Sequence, residues 1–497
     1  MRRGLIVASL AAFCLAPVAA RGQGAPVVRA KSKPDRQWRE YPTRTLEHLT
    51  GFRPADRPIP LSAYGGRADR KQKAIGFFRV QNVHGRWWLV DPEGCLFLHV
   101  GVVSVRPNLS AGSRSAYERR FGSEEKWAAT AGGLLADHGF NGTGAWSDNA
   151  ALRACPRPLV YTQIWNFMSG FGGSKKLTRQ KPGHKGYPND CFPVFHPDFE
   201  RWCDHAAQAL AATKDDPYLL GHFSDNELPF PDRLLDKTLA LDESDADMVH
   251  NLRAGRQWLQ RRKPLGSLTG GRSASSRDIT DADRDAFRGY VFERYLEITT
   301  RAIRKHDPNH LCLGPRLHGQ EKKSPAVFAA AGKHLDAVAV NYYGVWTPEA
   351  ATLADWTRWS GRPVLITEWY VKGADAPGLA NTTGAGWIVP TQADRGRFYQ
   401  NYVLALLESR SCVGWHWFKY QDNDPQSRTA DPSNLDSNKG IVDGTFQPYL
   451  PLLERMGRLN ARVYELADHF DRKTRRQASS APGARQPGGL TSQADRQ

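Results

Sequence analysis

The chain has 497 residues, of which 24% are charged and 40% hydrophobic, a composition that excludes a disordered or fibrous protein. Its formal net charge is +17, but residues 1–20 contribute +2, residues 21–40 contribute +4 and residues 471–497 contribute +4, so the remaining body carries only +7. Basic charge concentrated in the flanks gives no support for a nucleic-acid partner, whereas a mildly positive body is compatible with an acidic or sulfated polysaccharide.

Residues 1–20 have the pattern of a secretory signal peptide. Arg2 and Arg3 form a basic start, residues 5–16 form an apolar segment, and Val18-Ala19-Ala20 supplies the small residues of a cleavage site. The apolar segment is too short for a membrane anchor, and no later stretch is long enough to span a bilayer. We therefore expect a secreted or periplasmic bacterial protein without a membrane anchor.

The segments that flank the main domain have a different composition from it. Residues 21–75 are rich in Pro and Arg and have weak periodicity, which predicts a linker that wraps the domain. Residues 466–497 are basic and contain Gly, Pro, Ser and Gln, which predicts a disordered tail. The main folded domain is therefore predicted to span residues 76–465.

The main domain begins with a predicted β-hairpin. Two alternating runs flank His84-Gly85 in the stretch GFFRVQNVHGRWWLVDPEG, and a turn follows at residues 91–94. We expect this hairpin to cap the bottom of the domain that follows.

Eight apolar, strand-like runs then alternate with helical stretches. The predicted strands are Cys95–Val102, Phe140–Trp146, Leu159–Trp165, Tyr218–Asn226, Leu311–Arg316, Ala337–Tyr342, Pro363–Glu368 and Cys412–Trp417. The predicted helices between them include Lys126–His138, Asp198–Thr213, Glu243–Arg262, Asp283–His306 and Gln392–Ser409, and a Gly/Ser-rich loop is predicted at 266–276. The alternation indicates an α/β fold with a parallel sheet, and eight repeats favour a closed (β/α)8 TIM barrel over an open sheet. The complete prediction is a TIM barrel with a short N-terminal β-hairpin extension and disordered basic termini.

Two of the predicted strands end in a carboxylate. The fourth is followed by Glu227, directly after Asn226, and the seventh ends in Glu368. A barrel gathers the C-terminal ends of its strands around one cleft, where the ends of strands four and seven lie opposite each other. Two carboxyl groups that flank a bond are what glycoside cleavage requires, and a separation of about 5–5.5 Å gives retention by double displacement. The sequence therefore predicts a glycosidase that acts on a polysaccharide or oligosaccharide, with Glu227 and Glu368 as catalytic residues.

Polar and aromatic side chains near the other strand ends are candidates for sugar binding. They are Asn226, Trp146, Trp165, Asn166, Arg316, Asn341, Tyr342, Tyr343, Trp415, His416 and Trp417. We expect Asn226 to hydrogen-bond a sugar 2-hydroxyl and either Tyr342 or Tyr343 to contact Glu368. Trp415 and Trp417 share one face of their strand and are predicted to form the floor of the sugar site, whereas His416 points to the other side.

Arg316 is expected to pair with a carboxylate, of which Glu368 is one option. No metal and no cofactor are predicted, since zinc-ligand spacing, calcium-loop spacing and the dinucleotide fingerprint are missing from the sequence. Cys191 and Cys203 are a candidate disulfide pair because they are close in sequence.

Several stretches resemble family 50 agarases and their bacterial relatives within clan A of the glycoside hydrolases. They are WWLVDPEGCLFLHVGV, HPDFERWCDHAAQAL, YLLGHFSDNELPF, HDPNHLCLGPR and VLITEWYVKGADAPGLANTTGAGWIVPTQADRGRFYQNYV, and the resemblance covers about residues 76–465. It implies that Glu227 is the acid/base, that Glu368 is the nucleophile, and that the substrate is a β-linked galactan such as agarose.

The chain departs from the pattern of that family in two places. Only about 75 residues precede the hairpin, where those agarases carry a sizeable N-terminal domain, and the second strand lacks the arginine that is usual in clan A. The alternatives are a β-galactosidase of family 42, another clan A β-glycosidase that acts on mannan or glucan, and a non-catalytic glycan-binding barrel.

Overall fold

The computed structural model describes residues 26–181, 183–263, 279–427 and 430–479. The predicted signal peptide, the predicted loop at 266–276 and residues 480–497 of the predicted tail lie outside the described residues. No helix in the described ranges combines the length and the apolar character needed to cross a membrane.

The strands and helices are numbered here in chain order. The strands are β1 (Val27–Ala30), β2 (Arg39–Pro42), β3 (Arg67–Lys71), β4 (Arg79–Val83), β5 (Arg86–Val90), β6 (Cys95–Phe97), β7 (His99–Val102), β8 (Gly142–Thr143), β9 (Val160–Ile164), β10 (Arg179–Lys181), β11 (His184–Gly186), β12 (Leu219–Asn226), β13 (Leu311–Arg316), β14 (Val338–Asn341), β15 (Val364–Glu368), β16 (Val371–Gly373), β17 (Trp387–Val389) and β18 (Cys412–Trp417). The helices are α1 (Ala111–Arg120), α2 (Glu124–Asp137), α3 (Asn149–Arg153), α4 (Phe167–Ser174), α5 (Phe199–Ala207), α6 (Leu234–Leu239), α7 (Val249–Arg262), α8 (Asp281–His306), α9 (Pro325–His334), α10 (Ala350–Ser360), α11 (Gln392–Ser409), α12 (Leu450–Asn460) and α13 (Val463–Ser479).

The centre of the fold is an eight-stranded parallel sheet that curls into a nearly closed barrel. Its strand order is β13-β12-β9-β8-β7-β18-β15-β14. The two end strands approach each other through a parallel bridge between Leu317 and Val340, where the Leu317 N–H donates to the Ala339 carbonyl at 2.9 Å. The α/β class and the eight parallel strands predicted from the sequence are confirmed.

The bottom of the barrel is covered by an antiparallel sheet rather than by a hairpin alone. The predicted hairpin is present as β4 and β5, which turn at His84 and Gly85, both with positive φ. Strands β3 and β6 extend it to four strands in the order β3-β6-β5-β4. Phe78 and Leu89 of this region belong to the same buried cluster as Leu220 and Leu311, which lie at the starts of barrel strands.

The predicted first barrel strand, Cys95–Val102, is wrong as one element. The chain divides at Leu98, so that β6 joins the antiparallel sheet and β7 joins the barrel. Every residue of this stretch is buried, and a continuous apolar run carries no sign of the point at which its pairing partner changes.

The predicted disulfide between Cys191 and Cys203 is also wrong. All six cysteines in the described residues are free, and these two are buried thiols. Cys191 follows a short 3-10 turn, and its Sγ lies 3.5 Å from the hydroxyl of Thr238 in α6, whereas Cys203 lies in α5.

Both flanks of the barrel pack on it more closely than their composition suggests. Strands β1 and β2 pair with each other, and Lys31 forms a bridge to Ile388 at the edge of β17. Helix α13 continues to Ser479, so the disorder predicted from residue 466 is wrong for 466–479. Its apolar face is buried through Leu466, Ala467 and Phe470, a helical spacing that the basic composition of the tail conceals.

Arg86 at the start of β5 ties the antiparallel sheet to α13. Its side chain is fully buried, and its Nε donates to Oδ1 of Asp471 at 3.0 Å. Its Nη1 also donates to the Leu407 carbonyl at 2.7 Å at the end of α11. Three distant parts of the chain therefore meet at one guanidinium group.

We predict that Asp471→Asn lowers the free energy of unfolding by about 3–5 kcal/mol, because it leaves the buried Arg86 without its carboxylate. Urea denaturation followed by circular dichroism measures this loss. The matched control is Asp355→Asn, which breaks an exposed ion pair with Arg358 and should cost about 0–1 kcal/mol. Equal stability losses in the two variants would contradict the structural role given to Asp471.

Candidate active site

The two predicted carboxylates meet in a cavity of about 860 Å³ at the C-terminal ends of the barrel strands. Glu227 follows β12 and Glu368 is the last residue of β15, and both line this cavity. Parallel strands end at one edge of the barrel, so residues that are far apart in sequence converge there.

Arg316, at the end of β13, is the central cation of the site. It is fully buried, and its Nη2 lies 2.6 Å from Oε1 of Glu368. The same Nη2 lies 2.8 Å from the Thr367 carbonyl, and Nη1 donates to Oδ1 of Asn226 at 3.1 Å. Its guanidinium group lies over the ring of Trp146, 4.5 Å from the ring centroid. These contacts hold the group in one orientation between the ends of strands β12 and β15.

Glu227 is held in an unusual backbone conformation. Its φ is +48°, in the left-handed region that a non-glycine residue rarely adopts, and its N–H donates to the Arg316 carbonyl at 3.2 Å. Its Oε1 accepts a hydrogen bond from Nδ2 of Asn341 at 2.8 Å, and Nδ1 of His318 lies 3.5 Å from the same oxygen. Burial raises the pKa of the Glu227 carboxyl group, while Asn341 and Arg316 oppose the shift.

The surroundings of Glu368 stabilise its charged form more strongly than those of Glu227 do. Besides Arg316 at Oε1, the hydroxyl of Tyr343 donates to Oε2 at 2.9 Å. Burial is the largest influence on this carboxyl group and raises its pKa; Arg316 and Tyr343 lower it, and the neighbouring Glu227 raises it. The two carboxyl groups therefore interact, and each makes ionisation of the other less favourable.

The structure brings part of the predicted substrate-binding set into the cavity. Asn226, Trp146 and Tyr343 line it, and Tyr343 is the tyrosine that contacts Glu368. Asn341 lies behind Glu227, where its Oδ1 accepts from the Thr367 hydroxyl at 2.8 Å, so its amide is oriented to donate to the carboxylate. These residues and Arg316 form a connected network around the two glutamates.

The predicted tryptophan floor is wrong. Trp415 and Trp417 do share one face of β18, but this face is the outer one; both are fully buried, and the Trp415 Nε1 donates to the Tyr399 hydroxyl of α11 at 3.0 Å. His416 faces the interior below the cavity, where its Nε2 lies 2.8 Å from Nδ1 of His99. Both faces of a parallel barrel strand are buried. The alternation of side chains along β18 therefore separates its two faces but does not indicate which of them points into the barrel.

Three further candidates lie outside the cavity. Tyr342 is turned toward the outer helices, and its ring contacts Trp356 at a centroid distance of 4.8 Å. Trp165 donates from its Nε1 to Nδ1 of His222 at 3.0 Å, and Asn166 begins α4 with a positive φ. These residues therefore support the barrel wall rather than line the site.

Several residues that line the cavity escaped the sequence prediction. They are Lys33, Ser104, Arg106, His184, Tyr370, Thr383, Phe418, Lys419, Asn423 and Asp431. Tyr370 lies two residues beyond Glu368, and Phe418 and Lys419 directly follow β18, so their position after a strand end was a usable signal. Lys33 comes from the N-terminal segment and had no such signal.

One group of potential metal ligands occurs among the described residues, and none of its members lines the cavity. His222, Asp307 and His310 are buried with ligand atoms within 4.8 Å of one another. Nε2 of His222 and Nδ1 of His310 each lie 2.8 Å from Oδ2 of Asp307, and Nε2 of His310 lies 2.9 Å from the Asp216 carbonyl. The three side chains thus hydrogen-bond to one another and to the barrel wall, which accounts for their burial without a metal ion.

Comparisons with known proteins place this geometry in context. No protein-family model matches the chain. The chain is 24% identical to "Beta-agarase B" and 23% identical to "Beta-agarase A", both of Vibrio sp. (strain JT0107), over 82% and 81% of its length. It spans 50% and 48% of those two proteins, about half of their length.

Solved structures extend this similarity. The protein in a crystal structure of BpGH50 has 31% sequence identity to this chain. The two structures superpose with a TM-score of 0.78, and the match covers 90% of this chain and 96% of that one. The structure of an exo-beta-agarase is 20% identical, with a TM-score of 0.69 over 83% of this chain and 69% of that one, and shares the fold.

We predict that Arg316→Met raises the pKa of Glu368 by about 1–3 units, because a cation in contact with a carboxylate lowers its pKa by that amount. Titration of ¹³C-labelled glutamates by NMR, with Glu368→Gln to assign the resonance, measures the shift. Arg316→Lys keeps the charge and should shift the pKa less. The control Arg114→Met, on exposed α1, should leave the pKa unchanged; a pKa in Arg316→Met no higher than in the parent protein would disprove the pairing.

Proposed function

The chain belongs to glycoside hydrolase family 50, and we propose that it is a secreted, retaining enzyme that cleaves a β-linked galactan or its oligosaccharides by double displacement. In this proposal the nearly closed barrel is a (β/α)8 TIM barrel of clan A. The observation that carries the proposal is the pair Glu227 and Glu368 in one cavity, with Arg316 bound to Glu368 and not to Glu227.

The unequal surroundings of the two carboxyl groups support different roles for them. Glu368 has a guanidinium group at 2.6 Å and a phenol at 2.9 Å, and both stabilise a carboxylate. Glu227 has one amide donor at 2.8 Å and the His318 ring at 3.5 Å. When the pair holds a single proton, that proton therefore resides on Glu227, and Glu368 is the anion.

The proposed reaction follows from this proton distribution. In the first step Glu368 attacks the anomeric carbon while Glu227 protonates the leaving glycosidic oxygen. In the second step Glu227, now a carboxylate, removes a proton from water, which releases the sugar from Glu368. Arg316 and Tyr343 keep Glu368 in line and stabilise it as it leaves, so they act as positioning residues around the nucleophile.

The walls of the cavity support a sugar as the ligand. Trp146, Tyr370 and Phe418 place aromatic surface in it, and Asn226 and Asn423 place amide groups there. Aromatic rings pack on the apolar faces of sugars, and amides match hydroxyl groups in both donor and acceptor roles. The similarity to two beta-agarases favours a β-galactan over mannan or glucan as the backbone.

Glu227→Gln and Glu368→Gln should each reduce kcat on agarose oligosaccharides by at least about 10²–10⁴-fold, the usual contribution of a catalytic proton donor. Reducing-end analysis on a panel of agarose, mannan and β-glucan measures activity and backbone preference together, and ¹H NMR of the first product determines the anomer. Glu349→Gln, a change on an exposed loop, is the matched control.

Azide should restore activity to Glu368→Gly and yield a glycosyl azide of inverted configuration, because the small anion fits the space left by the nucleophile. Activity that survives both glutamine substitutions would disprove the proposal and would favour a non-catalytic glycan-binding barrel with a contaminating hydrolase.

The pH profile of kcat/KM should be bell-shaped. Activity is lost as the pH falls through the pKa of Glu368, because the nucleophile becomes protonated, and as the pH rises through the pKa of Glu227, because the acid loses its proton. Since burial raises both pKa values, the acidic limb should lie above the ordinary value of 4.5. In Glu227→Gln the alkaline limb should disappear on an activated aryl β-galactoside, because the group that loses its proton there is gone. The acidic limb should stay in place, because the protonated Glu227 that Gln replaces carries no charge at that pH. An alkaline limb that persists would contradict the assignment of Glu227 as the acid.

A further inference from the structure

Cations outnumber available carboxylates on the part of the cavity wall that the catalytic pair does not form. Lys33, Arg106 and Lys419 line the cavity. Apart from Glu227 and Glu368, Asp431 is the single carboxylate in the lining, as far as the described residues show. The wall therefore carries a positive charge that the reaction proposed above does not use.

Arg106 lies in the loop after β7 and presents an exposed guanidinium group to the cavity. Its backbone N–H donates to the Ser104 carbonyl at 2.8 Å, which fixes the turn. Within the described part of the chain, its side chain has no hydrogen bond and no carboxylate within 4.0 Å. All of its side-chain donors are therefore available to a ligand.

Lys419 follows β18, the strand that pairs with β7, so it lies in the same sector of the barrel mouth as Arg106. Its Nζ donates to Oδ1 of Asn423 at 2.8 Å, and no described carboxylate oxygen lies within 4.0 Å of it. Burial lowers the pKa of Lys419 to about 8; the nearby Asp422 and Asp431 oppose this shift and Arg106 adds to it, and the ammonium group is charged at neutral pH.

The carboxylates near these cations are occupied by other donors. Asp422 accepts from the amide of Asn438, the N–H of Gly440 and the hydroxyl of Tyr449, each at 2.7–2.8 Å. Asp431 accepts from the N–H of Ser433 at 2.8 Å and lies at the N-terminus of a short helical turn. Both favour the charged form of Lys419 from a distance, but neither forms an ion pair within 4.0 Å with Arg106 or Lys419.

Lys33 is bound differently, through neutral oxygens. Its ammonium group donates to the Thr382 carbonyl at 3.1 Å, and no carboxylate of the described residues forms an ion pair with it. Arg106 and Lys419 are close enough to repel each other, and their arrangement becomes favourable when an anion lies between them.

We propose, on the basis of the proposed glycosidase function, that this wall selects a galactan with an anionic substituent, a sulfate ester or a carboxylate, and that Arg106 and Lys419 are the specificity-determining residues that pair with it. A neutral sugar would occupy the same space but would leave both charges without a partner. The planar guanidinium group matches two oxygens of either anion, and the ammonium group adds a second point of attachment.

Binding tests the proposal separately from turnover. Full-length Glu227→Gln protein is titrated calorimetrically with oligosaccharides of a sulfated galactan, with the same oligosaccharides after chemical desulfation, and with a uronate-bearing galactan. We expect an anionic form to bind at least about 10-fold more tightly than the desulfated one, as for a hydrogen bond to a charged group. Comparison of the sulfated with the uronate-bearing oligosaccharide shows which of the two anions the protein prefers.

The charge-removing variants Arg106→Gln and Lys419→Gln, made in the same background, should each reduce this preference by about 10-fold. Arg119→Gln, which removes an equivalent charge from α1 outside the cavity, is the control and should keep the preference. Arg106→Glu reverses the charge at an exposed position, so it should favour the neutral oligosaccharide even if Lys419→Gln fails to fold.

Equal or undetectable binding of charged and neutral oligosaccharides, or a preference that persists in Arg106→Glu, overturns this inference. Hydrolysis by the unmodified protein is measured in parallel on all three substrates. Cleavage of all three substrates without charge preference would reject anion selectivity and leave the proposed glycosidase activity intact. Charge-selective binding without any cleavage would reject the glycosidase activity and leave anion selectivity intact.

Discussion

The buried ion pair between Arg316 and Glu368 is the constraint on which the rest of the site depends. A fully buried guanidinium group is costly unless its donors find acceptors, and here Glu368, the Thr367 carbonyl and Asn226 supply them to its two Nη nitrogens. Thr367 and Glu368 end β15, and Asn226 ends β12. The need to satisfy one cation therefore sets the relative positions of strands β12, β13 and β15 at the mouth of the barrel.

This arrangement also explains why two similar carboxyl groups behave differently. Burial raises the pKa of both, and the interaction between them raises it further. Arg316 contacts Glu368 directly, whereas Asn341 offers Glu227 a neutral amide. A cation stabilises the charged form more than an amide does, so the difference in proton affinity results from the choice of partner and not from depth in the barrel.

The strand ends of this protein could be predicted from the sequence, but the orientation of its side chains could not. An apolar run that ends in a polar residue locates Glu227, Glu368 and Arg316 at the mouth because all parallel strands end there. The faces of β18 could not be distinguished, since both are buried and both contain aromatic rings. Trp415 packs outward against Tyr399 of α11, while His416 and a separate apolar cluster that includes Val413 fill the interior.

The loops decide what the barrel mouth binds, and they had the weakest signals in the sequence. Lys33, Arg106 and Lys419 reach the cavity from three separate connections, and only the folded chain shows that they share one cavity. Their charge bears on the catalytic pair as well. An anionic substituent bound beside Glu368 would, on its own, raise the pKa of both glutamates and favour the protonated, unreactive form of the nucleophile. Cations that pair with that substituent offset this shift, so the residues that select a charged sugar also keep Glu368 ionised while the sugar is bound.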